Sequence, residues 1–230
     1  MVVRGIGPGL AAFNVQDTLP DPKLDLNQSG VIVPIGANDN WNAAAADAFA
    51  QVGAFPLTVG SRDAAIVTTL AANSYTAQLT DATGATGIAL VELYDAAAVN
   101  GANFVNISAR SQVGTGSGIL IAGFNLSGNG PRTLLIRAVG PALAAFGVGG
   151  VLADPRLDLF ASGTPAAIAS NDNWDASAAS FFSPAGAFNL SPGSRDSVLV
   201  VTLNPGSYTA QVSGAGKGTG VALIEIYEIP

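Results

Sequence analysis

Carboxylate and carboxamide side chains recur in two short motifs, and they are the groups in this sequence best suited to bind a ligand. One motif reads Asp-Pro-x-Leu-Asp-Leu, the other reads Asn-Asp-Asn-Trp, and each occurs twice. Hard cations such as Ca²⁺ prefer clustered carboxylate and carbonyl oxygens, so the motifs together offer a candidate calcium site in each copy. The candidate ligands are Asp21, Asp25, Asn38, Asp39, Asn40, Asp154, Asp158, Asn171, Asp172 and Asn173.

A structural interpretation of the same residues competes with calcium binding, and we favour it. Asn and Asp side chains form turns that cap a following helical segment, and the spacing matches no EF-hand loop. Trp41 and Trp174 could stack on a sugar ring, but one Trp per copy in a Phe-rich setting favours packing. The motif Gly60–Asp63 and its copy Gly193–Asp196 could place a guanidinium beside a carboxylate, which we interpret as structural pairing.

Several classes of function are excluded by residues that the chain lacks or rarely carries. It has no Cys and no His, which removes thiol nucleophiles, Ser-His triads and imidazole-bound zinc. A net charge of −7 argues against a nucleic-acid partner, and no apolar run is long enough to insert into a membrane. Gly5–Gly9 resembles a dinucleotide-binding loop, but the second copy retains one of its glycines. We therefore predict no catalytic residues and no enzyme.

An internal repeat organises the chain. Shifting the sequence by 133 residues aligns residues 2–95 with residues 135–228 without a gap, at roughly half identity. The matched segments include Arg4–Pro8 with Arg137–Pro141, the Asp-Pro and Asn-Asp-Asn-Trp motifs, and Ser74–Gln78 with Ser207–Gln211. The sequence thus predicts two domains of one fold.

The segment 96–134 has no counterpart ahead of the first copy. The predicted domains are residues 1–97, a repeat that lacks about two N-terminal strands, and residues 98–230, a complete repeat. This division is the simpler one because the segment runs directly into a strand of the second copy, although it could instead complete the first copy. The strands predicted in this part of the chain are Asn103–Val113, Ile119–Ser127 and Pro131–Val139.

Short alternating or apolar runs bounded by turns predict an all-β protein of two tandem β-sandwich or jelly-roll domains. One Ala-rich segment in each copy, Asn42–Val52 and Asp175–Phe182, is expected to be helical. The other predicted strands are Lys23–Asn27, Val31–Ile35, Ala64–Leu70, Ser74–Thr80, Gly87–Asp95, Arg156–Phe160, Ala166–Ala169, Ser197–Leu203, Ser207–Ser213 and Gly220–Glu228.

The order of these motifs resembles the bacterial pre-peptidase C-terminal (PPC) domain. The residues that carry the likeness are Asp-Pro-x-Leu-x-Leu, Asn-Asp-Asn-Trp, Pro-Gly-x-Tyr-Thr-Ala-Gln-Val and a closing Gly-x-Ala-Leu-x-Glu-x-Tyr. The chain also resembles tandem repeats of large surface proteins from Verrucomicrobia-like bacteria. The resemblance implies a secreted, non-catalytic β-sandwich module that in some members binds calcium.

A domain short of two strands exposes unpaired backbone groups and an apolar face. The chain could be an excerpt of a longer array, it could tolerate an incomplete domain, or another copy could supply the strands. Strand supply between copies is a heterologous contact and builds head-to-tail homopolymers.

The favoured hypothesis is an extracellular structural protein of the bacterial surface, a fibre or layer subunit whose partner is itself. The alternative is a calcium- or carbohydrate-binding accessory module of a larger secreted protein, with surface glycans as partners.

Overall fold

The computed structural model describes residues 1–95 and 104–229. It confirms the predicted all-β class and places the strands in four sheets. The chain divides into two compact units, Met1–Asn103 and Phe104–Pro230. The predicted domain boundary between residues 97 and 98, and Asn103 at the start of a predicted strand, lie outside the described residues.

The first unit contains two antiparallel three-stranded sheets, with strand orders β4-β1-β6 and β3-β2-β5. Its strands are β1 (Val2–Ile6), β2 (Pro22–Gln28), β3 (Gly36–Asn38), β4 (Ala64–Val67), β5 (Tyr75–Asp81) and β6 (Leu90–Tyr94).

The second unit contains two antiparallel four-stranded sheets, with strand orders β12-β9-β14-β7 and β11-β10-β13-β8. Its strands are β7 (Asn106–Val113), β8 (Leu120–Leu126), β9 (Arg132–Val139), β10 (Pro155–Ala161), β11 (Ala169–Asn171), β12 (Ser197–Leu203), β13 (Gly206–Gly214) and β14 (Gly220–Glu228).

Each predicted helical segment is a 3₁₀ turn followed by a short α-helix, α1 (Ala46–Gln51) or α2 (Phe182–Ala185). In the first unit Asn42 caps the 3₁₀ turn, and its side chain accepts a hydrogen bond from the Ala44 N–H at 2.8 Å. Within residues 1–95 and 104–229 no helix is long and apolar enough to span a bilayer.

The sheet that contains β9 lies in the middle of the second unit and is buried on both faces. Ile136 packs with Leu157 and Val212 of the other sheet. Leu135, its neighbour, packs with Trp174 and Phe182 on the opposite face, because successive strand residues point to opposite sides. The apolar run of β9 therefore belongs to a strand that is covered on both sides.

The predicted strand Val31–Ile35 is wrong. This run is an exposed loop in which Ile32 is fully exposed, and β3 begins only at Gly36. Pro34 has no N–H to donate to a strand ladder, and the run lacks the alternation that one covered face requires. The predicted strand Ala166–Ala169 fails in the same way, since β11 begins at its last residue.

Candidate functional site

The two units differ at one edge of each sheet. In the second unit β14 pairs with both β9 and β7, and β13 pairs with both β10 and β8. The corresponding strands of the first unit have one partner each: β6 pairs with β1, and β5 pairs with β2. Within the part of the chain that the structure describes, the other side of β6 and of β5 carries no strand. We call these two unpaired sides the open edge.

The open edge leaves apolar side chains in water that are buried in the second unit. Val91 of β6 is 39% exposed, whereas Ile224, at the matching position of β14, is 1% exposed. Ala77 and Leu79 of β5 are half-buried, although the residues 133 positions later are fully buried. The first unit therefore has a sandwich core that is incomplete on one side.

The residues along the open edge are nearly those that hold β8 in the second unit. Residues 74–78 are identical to residues 207–211. In the second unit Tyr208 stacks on Phe124 of β8 at 5.7 Å between ring centroids, and Ser207 Oγ donates to Asn125 Oδ1 at 2.5 Å. Tyr75 has the position of Tyr208 and the same anchor, since its hydroxyl donates to the Ala71 carbonyl at 2.9 Å. The first unit thus carries along its open edge the same residues that contact β8 in the second unit.

The opposite edge of each sandwich is closed by an asparagine. Asn38 Oδ1 accepts the Ala65 N–H at 2.8 Å, which ties β3 to β4 across the two sheets. Asn171 Oδ1 accepts the Val198 N–H at 3.0 Å and ties β11 to β12. Two of the candidate calcium ligands therefore have a structural task.

The other candidate ligands of the first unit are spread over separate contacts. Asp21 forms an ion pair with Arg62 at 2.8 Å, and Asp25 forms one with Lys23 at 3.1 Å. The Asn40 carbonyl accepts a hydrogen bond from Asn38 Nδ2 at 2.9 Å, and Asp39 is exposed. Arg62 thus pairs with a carboxylate of another motif.

The second unit repeats this arrangement. Asp154 pairs with Arg195 at 2.8 Å, and Asn171 Nδ2 donates to the Asn173 carbonyl at 3.0 Å. Burial acts to raise the pKa of Asp158, but hydrogen bonds from Arg156 and Ser170 hold it below its usual value. Asp172 is exposed and accepts a hydrogen bond from Asn173 Nδ2 at 3.4 Å.

The candidate calcium ligands are distributed over several separate contacts in each unit. The ion needs six to eight oxygens around one point, and about half of the candidate side-chain oxygens already accept hydrogen bonds or face a cation. One oxygen in each unit, Asp21 Oδ1 or Asp154 Oδ1, is buried without a hydrogen bond. Among residues 1–95 and 104–229 no three acidic side chains converge as metal ligands would. Calcium binding therefore stays a prediction from sequence.

Both tryptophans are buried and held in place. Trp41 is 7% exposed and its indole N–H donates to Ser61 Oγ at 3.2 Å, while Trp174 donates to Ser194 Oγ at 3.0 Å. Their rings pack against Phe49 and Phe182. Neither ring offers an open face on which a sugar could stack.

The Gly5–Gly9 segment comprises the end of β1 and the turn that follows it, and this turn is held by the chain itself. Asp63 is fully buried and its Oδ1 accepts the N–H groups of Gly7 and Gly9 at 2.9 and 3.1 Å. Its Oδ2 accepts the Ser61 hydroxyl at 2.6 Å. Because the Asp63 carboxylate already accepts both N–H groups, they are not available to bind a phosphate.

A buried ion pair that the sequence analysis missed anchors the strand at the open edge. Arg4 of β1 is fully buried, and its Nε donates to Glu92 Oε2 of β6 at 2.8 Å. The guanidinium lies over the rings of Phe49 and Phe55, 4.8 and 4.4 Å from their centroids. Its Nη1 donates to the Phe55 carbonyl at 2.6 Å.

The tyrosine two residues after Glu92 extends this contact. The Tyr94 hydroxyl donates to Glu92 Oε1 at 2.8 Å, and burial, together with the neighbouring carboxylate, raises the pKa of Tyr94 to about 12. The network ties β6 to β1 on its one paired side. The sequence did contain a signal for this ion pair, because Arg4 and Glu92 are charged residues in strands that are otherwise apolar.

The same contacts recur in the second unit. Arg137 pairs with Glu225, and its guanidinium lies over the rings of Phe182 and Phe188 at 5.1 and 4.3 Å. The Tyr227 hydroxyl donates to Glu225 Oε1 at 2.7 Å, and burial raises the pKa of that tyrosine. The network is therefore part of the fold of each unit.

The chain has a distant structural likeness to a known protein domain. No family model matches the chain, and no curated protein matches it. Among solved structures it is similar to the pre-peptidase C-terminal domain of a collagenase from Bacillus anthracis, with 13% identity and a TM-score of 0.34. That match covers 53% of this chain and 89% of the collagenase domain.

Proposed function

We propose that this protein is a non-enzymatic structural subunit outside the bacterial cell, which assembles into a fibre or layer through strand complementation between copies. The open edge of the first unit carries this proposal. It presents unpaired backbone groups in two stacked sheets at once and an apolar core that is open between them. Addition of strands to such an edge is a general mode of protein association.

The energetics favour occupation of this edge. Every polar backbone group that becomes buried needs a hydrogen-bond partner, and a pair of added strands supplies one ladder to each sheet. Covering Val91, Ala77 and Leu79 removes apolar surface from water, which contributes about 25 cal/mol per Å². The weak overall charge density, with 11% charged residues, opposes close packing of copies only slightly.

The first experiment is light scattering of the purified native chain over a dilution series, together with negative-stain electron microscopy. We expect regular filaments or sheets, and a mean mass that rises with protein concentration. A chain that stays monomeric at every concentration contradicts the proposal.

A matched variant tests whether the open edge is the contact. It repeats residues 104–133 directly ahead of Met1, because the same residues precede Leu134 and provide β7 and β8 to the second unit. These added strands complete the first unit within one chain. We expect this variant to remain monomeric under conditions in which the native chain assembles.

A further inference from the structure

The number of edge strands in the two units indicates which segment can pair with the open edge. Two units each need an edge pair, and the described residues contain one such pair, β7 with β8. If copies simply exchanged that pair, each strand gained by a first unit would be lost by a second unit. Exchange therefore leaves the number of open edges unchanged and gives no driving force for assembly.

β7 and β8 can pair with strands of another copy while they stay in the sheets of their own unit. β7 pairs on one side with β14, β8 pairs on one side with β13, and both lie last in their sheets. Their outer sides form a second edge that spans two stacked sheets, as the open edge does. At the opposite edge of each unit, β3 and β11 are only three residues long, and Asn38 and Asn171 tie them to β4 and β12, the edge strands of the other sheets.

The distribution of charged side chains favours a head-to-tail contact over a contact between two open edges. Residues 1–95 carry three basic and nine acidic side chains, whereas residues 104–229 carry six basic and seven acidic ones. Two first units would repel each other, while a first unit and a second unit would repel less. Arg110 lies exposed on β7, and among the described residues no carboxylate pairs with it.

We infer that the open edge of one copy docks against the outer sides of β7 and β8 of the next copy, while these two strands remain in their own unit. The inference rests on the proposed function and names its contact surface. β7 and β8 are then paired on both sides, with their own unit on one side and with the open edge of the other copy on the other. Both sheets therefore continue from copy to copy. Because the two surfaces differ, the contact repeats head to tail and produces a filament.

A disulfide lock distinguishes docking from exchange. Ser111 of β7 lies opposite Ala222 of β14, both residues are small, and the chain has no cysteine of its own. In the double variant Ser111→Cys/Ala222→Cys, oxidation fixes β7 to its own unit. We expect the oxidised variant to form filaments at the same protein concentration as its reduced form. Loss of assembly on oxidation overturns docking in favour of exchange.

A charge reversal distinguishes the head-to-tail contact from one between two open edges. We expect Arg110→Glu to raise the concentration required for assembly roughly five- to tenfold, because it places a negative charge against the acidic first unit. Arg156→Glu makes the same charge change on β10, away from β7 and β8, and is the control. Equal effects of the two variants overturn the inference. If the native chain itself stays monomeric, the proposed function fails first, so the two failures are distinguishable.

Discussion

Arg4 and Arg137 place a full positive charge inside a protein that is otherwise poor in charge. Each guanidinium is fully buried, paired with one glutamate and covered by aromatic rings. A buried ion pair adds little net stability compared with an apolar pair, but the loss of one partner leaves a charge without compensation. The two partners lie directly opposite each other in the pairing of β1 with β6 and of β9 with β14.

At the residue scale we predict that Glu225→Ala lowers the free energy of unfolding of the second unit by about 3–5 kcal/mol. The reason is that Arg137 would keep its charge in a dry site. Chemical denaturation monitored by circular dichroism provides the measurement. Arg195→Ala removes an exposed ion pair with Asp154 and serves as the control, with an expected loss under about 1 kcal/mol. Similar losses for both variants would contradict the prediction, because removing a partner of the buried pair would then cost no more stability than removing one of the exposed pair.

At the scale of the element, the turn after each central strand depends on a glycine for space. A Cβ added at Gly140, directly after β9, would lie 2.1 Å from the Leu152 carbonyl oxygen. Gly7 follows β1 in the same way, with 2.0 Å to the Leu19 carbonyl oxygen. The backbone directly after the strand approaches the backbone of the next loop so closely that neither glycine position has room for a side chain.

We predict that Gly140→Ala destabilises the second unit by about 1–3 kcal/mol, because the backbone must shift to admit the methyl group. Thermal unfolding followed by near-ultraviolet circular dichroism measures the effect. Gly149→Ala is the matched control, since a Cβ there meets no atom within 4 Å. An unchanged midpoint for Gly140→Ala would mean that the turn relaxes freely.

At the scale of the whole molecule, the two units share a plan but differ in completeness. The second unit buries its core beneath four strands per sheet, and within the described part of the chain the first unit has three per sheet. Incomplete burial of a few apolar side chains costs about 2 kcal/mol, which lowers the unfolding midpoint of a domain of this size by roughly 10 °C. The first unit should gain this stability when its open edge is filled.

We therefore expect two thermal transitions for the monomeric chain at low concentration, with the first unit unfolding at the lower temperature. Each unit contains one tryptophan, so Trp174→Phe and Trp41→Phe leave fluorescence reporters of the first and second unit respectively. Scanning calorimetry of the native chain gives the midpoints without substitution. The variant that repeats residues 104–133 ahead of Met1 should raise the lower midpoint. A single transition reported equally by both tryptophans would contradict this picture.

Local patterns were sufficient for most strands and for the helical turns, because alternation and turn residues act over a few positions. The same reasoning failed at Val31–Ile35, where apolar composition without alternation and with a proline produced a loop. It also left the Asn-Asp-Asn motifs with two interpretations. The structure shows Asn38 and Asn171 tying one sheet edge to the other, a contact between residues 27 positions apart.

The sequence by itself determined the all-β class, the 133-residue offset and the absence of histidine and cysteine chemistry. Only the tertiary structure decided that β7 and β8 extend the sheets at β14 and β13, and that Arg4 meets Glu92. It also showed that β6 and β5 have one partner strand each among residues 1–95 and 104–229. The physical reason is distance along the chain. The partners of each buried ion pair, Arg4–Glu92 and Arg137–Glu225, lie 88 positions apart, and no local pattern records which partners meet.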